Sequence, residues 1–198
     1  MNSYDNCGRN NYRIILASGS PRRIEILKRE GYHPIVCPAD VEENLPEGIE
    51  PEDAVMYLAL KKALAVEEEH PEFAGQVLIA ADTVVYKNRI LGKPADLEDA
   101  RHMIRAIRNT SHQVMTGVCL LICGEKSRRC FVDTTHIHCI DYSDEFIESY
   151  IRTEEPYDKA GGYAIQLTFG KYIDHIEGDY DNVVGLPYHR VEEEMKLL

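Results

Sequence analysis

The apolar positions along this chain change period repeatedly, and each change marks an element. Ile14, Ile15, Leu16 and Ala17 form a short continuous apolar run that stops at Ser18-Gly19-Ser20-Pro21. Arg22 and Arg23 follow, and a segment with helically spaced apolar residues then runs to about Gly31. The pattern predicts a strand, a tight loop and a helix. Ser20 suits the N-cap, and Pro21 the first helical position, where its missing N–H costs nothing. His33 to Cys37 reads as a second strand, followed by a polar loop with Pro46 and Gly48. Pro51 opens a helix to about Glu69. Gln76 to Tyr86 (QVLIAADTVVY) is a buried strand, and a turn at Lys87-Asn88-Arg89 brings the chain back to Ile90-Leu91. Asp96 can cap a helix to about Arg108. His112 to Cys123 and Arg128 to Ile140 are two strands joined by a Gly124-Glu125-Lys126 turn. Ser143 caps a helix through about Arg152, and Glu154 to Gly162 is a charged, glycine-rich loop. Strands at about Lys171 to Ile176 and Asn182 to Val184 precede Gly185-Leu186-Pro187 and a short acidic helix. Alternating strands and helices make this an α/β chain, with no repeat or interdomain linker.

Five places stand out from the pattern. Asp82 interrupts the Gln76 to Tyr86 strand, and a carboxylate in such a run is paired, hydrogen-bonded, metal-bound, or a structural aspartate at a bend. Lys62 is the only charge in the stripe formed by Val55, Leu58, Ala59 and Val66 on the long helix. It either snorkels to the surface or points into a cleft that holds an anion. The loop from Ser18 to Arg23 aims free backbone N–H groups, a helix N-terminus, two hydroxyls and two guanidinium groups at one spot. Such a loop suits phosphate, or its arginines face solvent. It has neither Walker A nor dinucleotide glycine spacing. Lys93 follows the hairpin, which returns it towards the strand of Asp82. His136 and His138 alternate on one strand face and read as an exposed face lacking a third metal ligand.

Composition narrows the class of partner. The 198 residues carry 22 Lys and Arg against 34 Asp and Glu, a net charge of −12. Polymeric nucleic acid and anionic membranes are therefore excluded as main partners, because both attract net positive charge. A small polyanion remains open where a local basic cleft or a metal cancels the charge. The six cysteines are scattered with no CxxC pair, so neither a zinc site nor a disulfide framework is supported. A reducing cytoplasm fits. Met1 to Asn11 is polar with no apolar core, which reads as a flexible start and not a signal peptide, and no run has transmembrane length.

ASGSPRR after an N-terminal strand resembles the signature of the Maf family of nucleotide pyrophosphatases. The resemblance continues through AADTVV (Ala80 to Val85), GKP (Gly92 to Pro94), HQVMTGV (His112 to Val118), EPYDKAGGYAIQ (Glu155 to Gln166) and NVVGLP (Asn182 to Pro187). The blocks stand in the family's order and cover nearly everything from Arg13 onward. The resemblance implies a mixed, curved sheet flanked by helices, with two lobes around a central cleft, over residues 12–198. It implies hydrolysis of a nucleoside triphosphate to the monophosphate and pyrophosphate.

The resemblance also assigns roles. Asp82 would accept a proton, with Lys62 and Lys93 beside it in the catalytic set. Ser18, Ser20, Arg22 and Arg23 would bind phosphate, and Glu43 with Asp82 would hold Mg²⁺ or Mn²⁺, hard cations that take oxygen ligands. Arg22, Thr83 and Gln166 occupy positions tied to the base. Ala160 to Gln166 fits the AGxYxIQ pattern of the dTTP and UTP branch, and an amide that donates and accepts suits the imide edge of thymine or uracil. The chain departs from the family in having Leu167-Thr168 where glycine usually follows the glutamine, which puts the base pocket in doubt. The alternatives are a pyrophosphatase for 7-methyl-GTP or non-standard purine nucleotides, a nucleotide-binding regulator of septum formation, or a loop that holds a structural anion. The family resemblance adds a homodimer as an expected partner, without an identifiable interface.

Overall fold

The computed structural model describes residues 13–198. The flexible start expected at residues 1–11, and Cys7 within it, lie outside the described residues. Strand β1 (Ile14–Leu16) leads through the serine-rich loop into helix α1 (Pro21–Arg29). β2 (Ile35–Val36) is shorter than expected, although the Cys37 N–H still donates to the Leu16 carbonyl at 2.9 Å. Helix α2 (Pro51–Glu69) precedes the hairpin of β3 (Val77–Tyr86) and β4 (Ile90–Leu91). Asn88 closes that turn with a φ of 57°, a left-handed conformation that asparagine tolerates. Helix α3 (Leu97–Ile107), the long strands β5 (Ser111–Ile122) and β6 (Arg128–Cys139), and helix α4 (Asp144–Tyr150) follow. β7 (Ile173–Glu177), α5 (Tyr180–Val184) and α6 (Tyr188–Met195) complete the chain.

The strands form one mixed sheet in the order β2-β1-β3-β5-β6-β7, with β4 pairing β3. β1 runs parallel to both β2 and β3, and all pairings from β3 onward are antiparallel. β3 carries near-continuous apolar residues because it is covered on both faces. Alternate side chains divide them: Leu78 and Ala80 pack with Ala59, Ala63 and Val66 of α2. Val77, Ile79 and Ala81 pack with Ile26 and Leu27 of α1 and Val191 of α6. A second core fills the far end of the same strands, where Val85, Val114 and Ile137 meet α3, α4 and the turns after α4. Phe169, fully buried, sits there with ring centroids of Tyr163, Tyr142 and Tyr150 at 4.8, 5.5 and 5.8 Å. Such aromatic pairs add about 0.5–1.5 kcal/mol each beyond burial. The two cores make two lobes on one continuous sheet, with a cleft between them.

Three sequence expectations are corrected. Asn182 to Val184 is not a strand but part of helix α5, which Asp179 caps by accepting from the Asp181 N–H at 2.9 Å. The apolar run there is too short to separate a period of 2 from 3.6. Lys171 falls in a 3₁₀ turn (Thr168–Tyr172), so β7 begins only at Ile173. Helix α4 ends at Tyr150 rather than near Arg152. No helix among the described residues is long and apolar enough to cross a membrane.

Candidate active site

A cleft of about 680 Å³ opens between the lobes. It gathers Ser18, Ser20, Arg22, Arg23, Glu43, Lys62, Asp82, Thr83, Lys93 and Gln166, every residue for which the sequence suggests a role. The loop after β1 forms its floor. Ser20 takes the N-cap position of α1, as expected, but its hydroxyl makes no capping bond. The Ser18 hydroxyl instead accepts from the Ser20 N–H at 3.3 Å and from Arg23 Nη1 at 3.0 Å.

The two neighbouring arginines have different jobs. Arg23 turns inward and braces the floor: Nε donates to Gly185 O at 2.8 Å, Nη1 also to Ala81 O at 2.8 Å, and Nη2 to Thr83 Oγ1 at 3.0 Å. Four of its five N–H groups are thus engaged, leaving one for a ligand. Burial pushes its pKa down, and the Asp82 charge opposes that shift. The Thr83 hydroxyl continues the chain of bonds to Thr116 at 3.0 Å, and Thr116 donates to Asn182 O at 3.1 Å. Arg22 points into the cleft, where its nearest anion is Asp158 at 3.6 Å. Arg22 therefore offers most of its guanidinium to a polyanion, whereas Arg23 offers one N–H.

Helix α2 supplies Lys62 through a close approach to the sheet. Gly117, opposite Asp82 in the β3–β5 register, lies against the α2 backbone at Val55. A Cβ there would come within 2.6 Å of the Met56 nitrogen and closer still to the Val55 carbonyl. Only glycine lets the helix sit so near the strand. Lys62 does not snorkel: its side chain is 13% exposed, and Nζ lies 2.6 Å from both Glu43 Oε1 and Asp82 Oδ1. The hydrogen bond from Lys62 holds the Glu43 carboxyl below its ordinary pKa, against burial, which raises it. Lys93, returned by the β3–β4 hairpin, adds to that depression. Two carboxylates on one ammonium, one from the loop before α2 and one from β3, offer an all-oxygen donor set. That chemistry fits a hard divalent cation.

Gln166, exposed, and Tyr163, buried, both line the cleft. Leu167 is 51% exposed and does not line the cleft. The sequence reading missed three participants. Tyr163 Oη is 2.6 Å from Nε2 of buried His112, whose burial pushes its pKa down to about 3. Lys159, 8% exposed, also lines the cleft and donates to Glu155 O at 2.8 Å and to Asp158. His112 and Lys159 fall inside HQVMTGV and EPYDKAGGYAIQ but have polar neighbours in sequence, so only their membership of those blocks, and no break in an apolar run, could have drawn attention to them. The strand face of His136 and His138 also differs from expectation, because β7 brings His175 and Glu177 to it and supplies the missing third group.

The Maf-like protein family model matches residues 13–198. A dTTP/UTP pyrophosphatase of Agathobacter rectalis is 43% identical, with 93% of this chain and 97% of the relative covered. The dTTP/UTP pyrophosphatases of Lachnoclostridium phytofermentans and Bacillus cytotoxicus are 41% and 42% identical, each covering 93% of this chain and 94% of the relative. Among solved structures, the Staphylococcus aureus Ham1 protein aligns over 93% of this chain and 98% of its own, at 13% identity and a TM-score of 0.46.

Proposed function

The chain belongs to the Maf family, and from that premise we propose that it hydrolyses dTTP and UTP to the monophosphate and pyrophosphate. The observation that carries this reading is the meeting of Glu43, Lys62 and Asp82 within 2.6 Å contacts, in a cleft that also holds Arg22 and Lys93. Cleaving a phosphoanhydride asks a protein for positioning and charge neutralisation more than for covalent chemistry. Lys93, Arg22 and the α1 N-terminus face the triphosphate and offset its charge. A water attacks the α-phosphorus, the bond to the α–β bridging oxygen breaks, and pyrophosphate leaves with that oxygen. Asp82 takes the proton from the attacking water. Lys62, 2.6 Å from Asp82 Oδ1, holds that carboxylate in place beforehand, and each such preorganised group is worth on the order of 10²–10³ in rate. Glu43 and Asp82 would hold Mg²⁺ or Mn²⁺, which when bound neutralises phosphate charge. We assign Gln166, Thr83 and Arg22 to base specificity, with Arg22 also contacting phosphate, and the names of the relatives support a pyrimidine.

The test is pyrophosphate release from a panel of nucleoside triphosphates with Mg²⁺ or Mn²⁺, run beside Asp82→Asn. Release from dTTP and UTP that the variant loses is the expected result. Release from 7-methyl-GTP or inosine triphosphate alone would keep the chemistry and overturn the base assignment. Silence on every nucleotide, from folded protein, would overturn the enzyme and favour a nucleotide-binding regulator.

A further inference from the structure

We propose that His138, His175 and Glu177 form a second cation site, for a transition metal such as Zn²⁺, on the outer face of the β6–β7 pair. Register builds it. His138 stands opposite His175, and Glu177 stands opposite His136, so His138, His175 and Glu177 share one face of an antiparallel pair. One donor atom from each lies within 4.8 Å of the others. His138 Nε2 and His175 Nε2 are each 3.6 Å from Glu177 Oε1. Ligands about 2.0–2.1 Å from a tetrahedral zinc sit roughly 3.3–3.5 Å apart, so two edges of the set already have nearly the required length.

Two further observations point to a ligand. His138 Nε2 is buried and has no hydrogen-bond partner. An unpartnered imidazole nitrogen held beside a carboxylate is an orphan that a metal would satisfy. His175 Nδ1 is 2.8 Å from Asp174 Oδ2, the arrangement in which a carboxylate accepts Nδ1–H and leaves the Nε2 lone pair for a metal. The two imidazoles now lie stacked with centroids 4.1 Å apart, so binding one ion requires the exposed His175 ring to rotate out of the stack until its Nε2 lone pair meets that of His138. The site is separate from the cleft. Ser111, opposite His138, is six residues along β5 from Gly117, opposite Asp82, or about 20 Å at strand spacing. The two imidazoles, borderline ligands beside one hard carboxylate, favour Zn²⁺, Co²⁺ or Ni²⁺ over Mg²⁺. Bound there, the ion would pin the edge strand β7 across the irregularity at His138/Cys139.

The experiment is calorimetric titration of untagged protein with ZnCl₂ in excess Mg²⁺, with Co²⁺ absorption as a second readout of nitrogen ligation. One equivalent of Zn²⁺ is expected in the wild type and in Glu43→Gln, at least 10-fold weaker in His138→Phe and His175→Ala. Asp174→Asn should weaken it about 10–100-fold. Metal-free thermal midpoints establish that the variants fold, and two independent histidine variants keep the test open if one does not. Absence of Zn²⁺ binding in the wild type would overturn the site, leaving a stacked pair of surface histidines. So would uptake that persists in both histidine variants, or that disappears with Glu43→Gln.

Discussion

Replacing Lys62 by methionine removes the ammonium shared by Glu43 and Asp82 while keeping an unbranched, helix-compatible stem. The two arms of the pair differ in worth. Glu43 is 58% exposed at its side chain, so its arm contributes at most about 1 kcal/mol. Asp82 is 13% exposed, and stranding a carboxylate that is mostly buried costs about 3–5 kcal/mol at full burial. Repulsion between the two carboxylates, whose facing oxygens each lie 2.6 Å from the same nitrogen, adds roughly 3 kcal/mol at an effective dielectric of 20, much of it relieved by Glu43 swinging into solvent. A net loss of about 2–4 kcal/mol at neutral pH follows, or roughly 5–15 °C in unfolding midpoint for a chain of this size. The loss should shrink in acid. Glu43 has a depressed folded pKa, so its share of stability is present above the unfolded carboxylate value and disappears as pH falls through the folded value. Mg²⁺ should raise the midpoint of Lys62→Met more than that of the wild type, because the freed carboxylates bind a cation without a resident competitor. Pyrophosphate release should fall on the order of 10²–10³-fold. Thermal unfolding with and without Mg²⁺, beside a turnover assay, checks all three. A variant that unfolds within 2 °C of the wild type and retains more than a tenth of its turnover would refute the shared-ammonium account.

Four other substitutions probe the frame, one of them as a comparison. Gly117→Ala forces α2 away from β5 and should cost about 3 kcal/mol or more, with turnover falling in parallel because the same shift carries Lys62 off Asp82; calorimetry and kinetics on one preparation check this. Arg23→Lys cannot span Gly185, Ala81, Ser18 and Thr83 at once, so it should lose about 2–3 kcal/mol in urea titration, more than the more exposed Arg22→Lys loses. His112 stays neutral when folded down to about pH 3, so its unfolded form takes up a proton first as pH falls below 6.5. Stability should then drop by about 1.4 kcal/mol per pH unit between pH 6 and 5, a slope that His112→Gln removes from urea midpoints measured at those values.

What could be read from the chain was whatever depends on neighbours in sequence. The strand, loop and helix around Ser18 to Arg23 follow from an apolar run, a proline and a cap, all local signals. Asp82 and Lys62 stood out because each broke an apolar pattern. Arg22 and Arg23 looked equivalent, since adjacency cannot tell which guanidinium turns inward; that depends on the Ala81 and Gly185 carbonyls from β3 and α5. Lys62 was undecided for the same reason, its partners lying 19 and 20 residues away. The grouping of His138 with His175 and Glu177 is a fact of register between strands, which single-strand alternation does not contain. Asn182 to Val184 failed differently, because two apolar residues carry no period and Asp179 capped a helix instead.

The strands β3, β5 and β6 each pass through both cores without interruption. A hinge between the lobes would have to bend three hydrogen-bonded strands at one level, and a paired sheet resists that far more than a single linker does. Clamshell closure is therefore not how this cleft meets its ligand. The jaws are set at folding, and adjustment falls to the segments without a ladder, around Glu43 and from Glu154 to Thr168. Nucleotide capture should change small-angle scattering little while slowing amide exchange in those two segments, so that the rate of capture reports loop ordering and not a swing of domains.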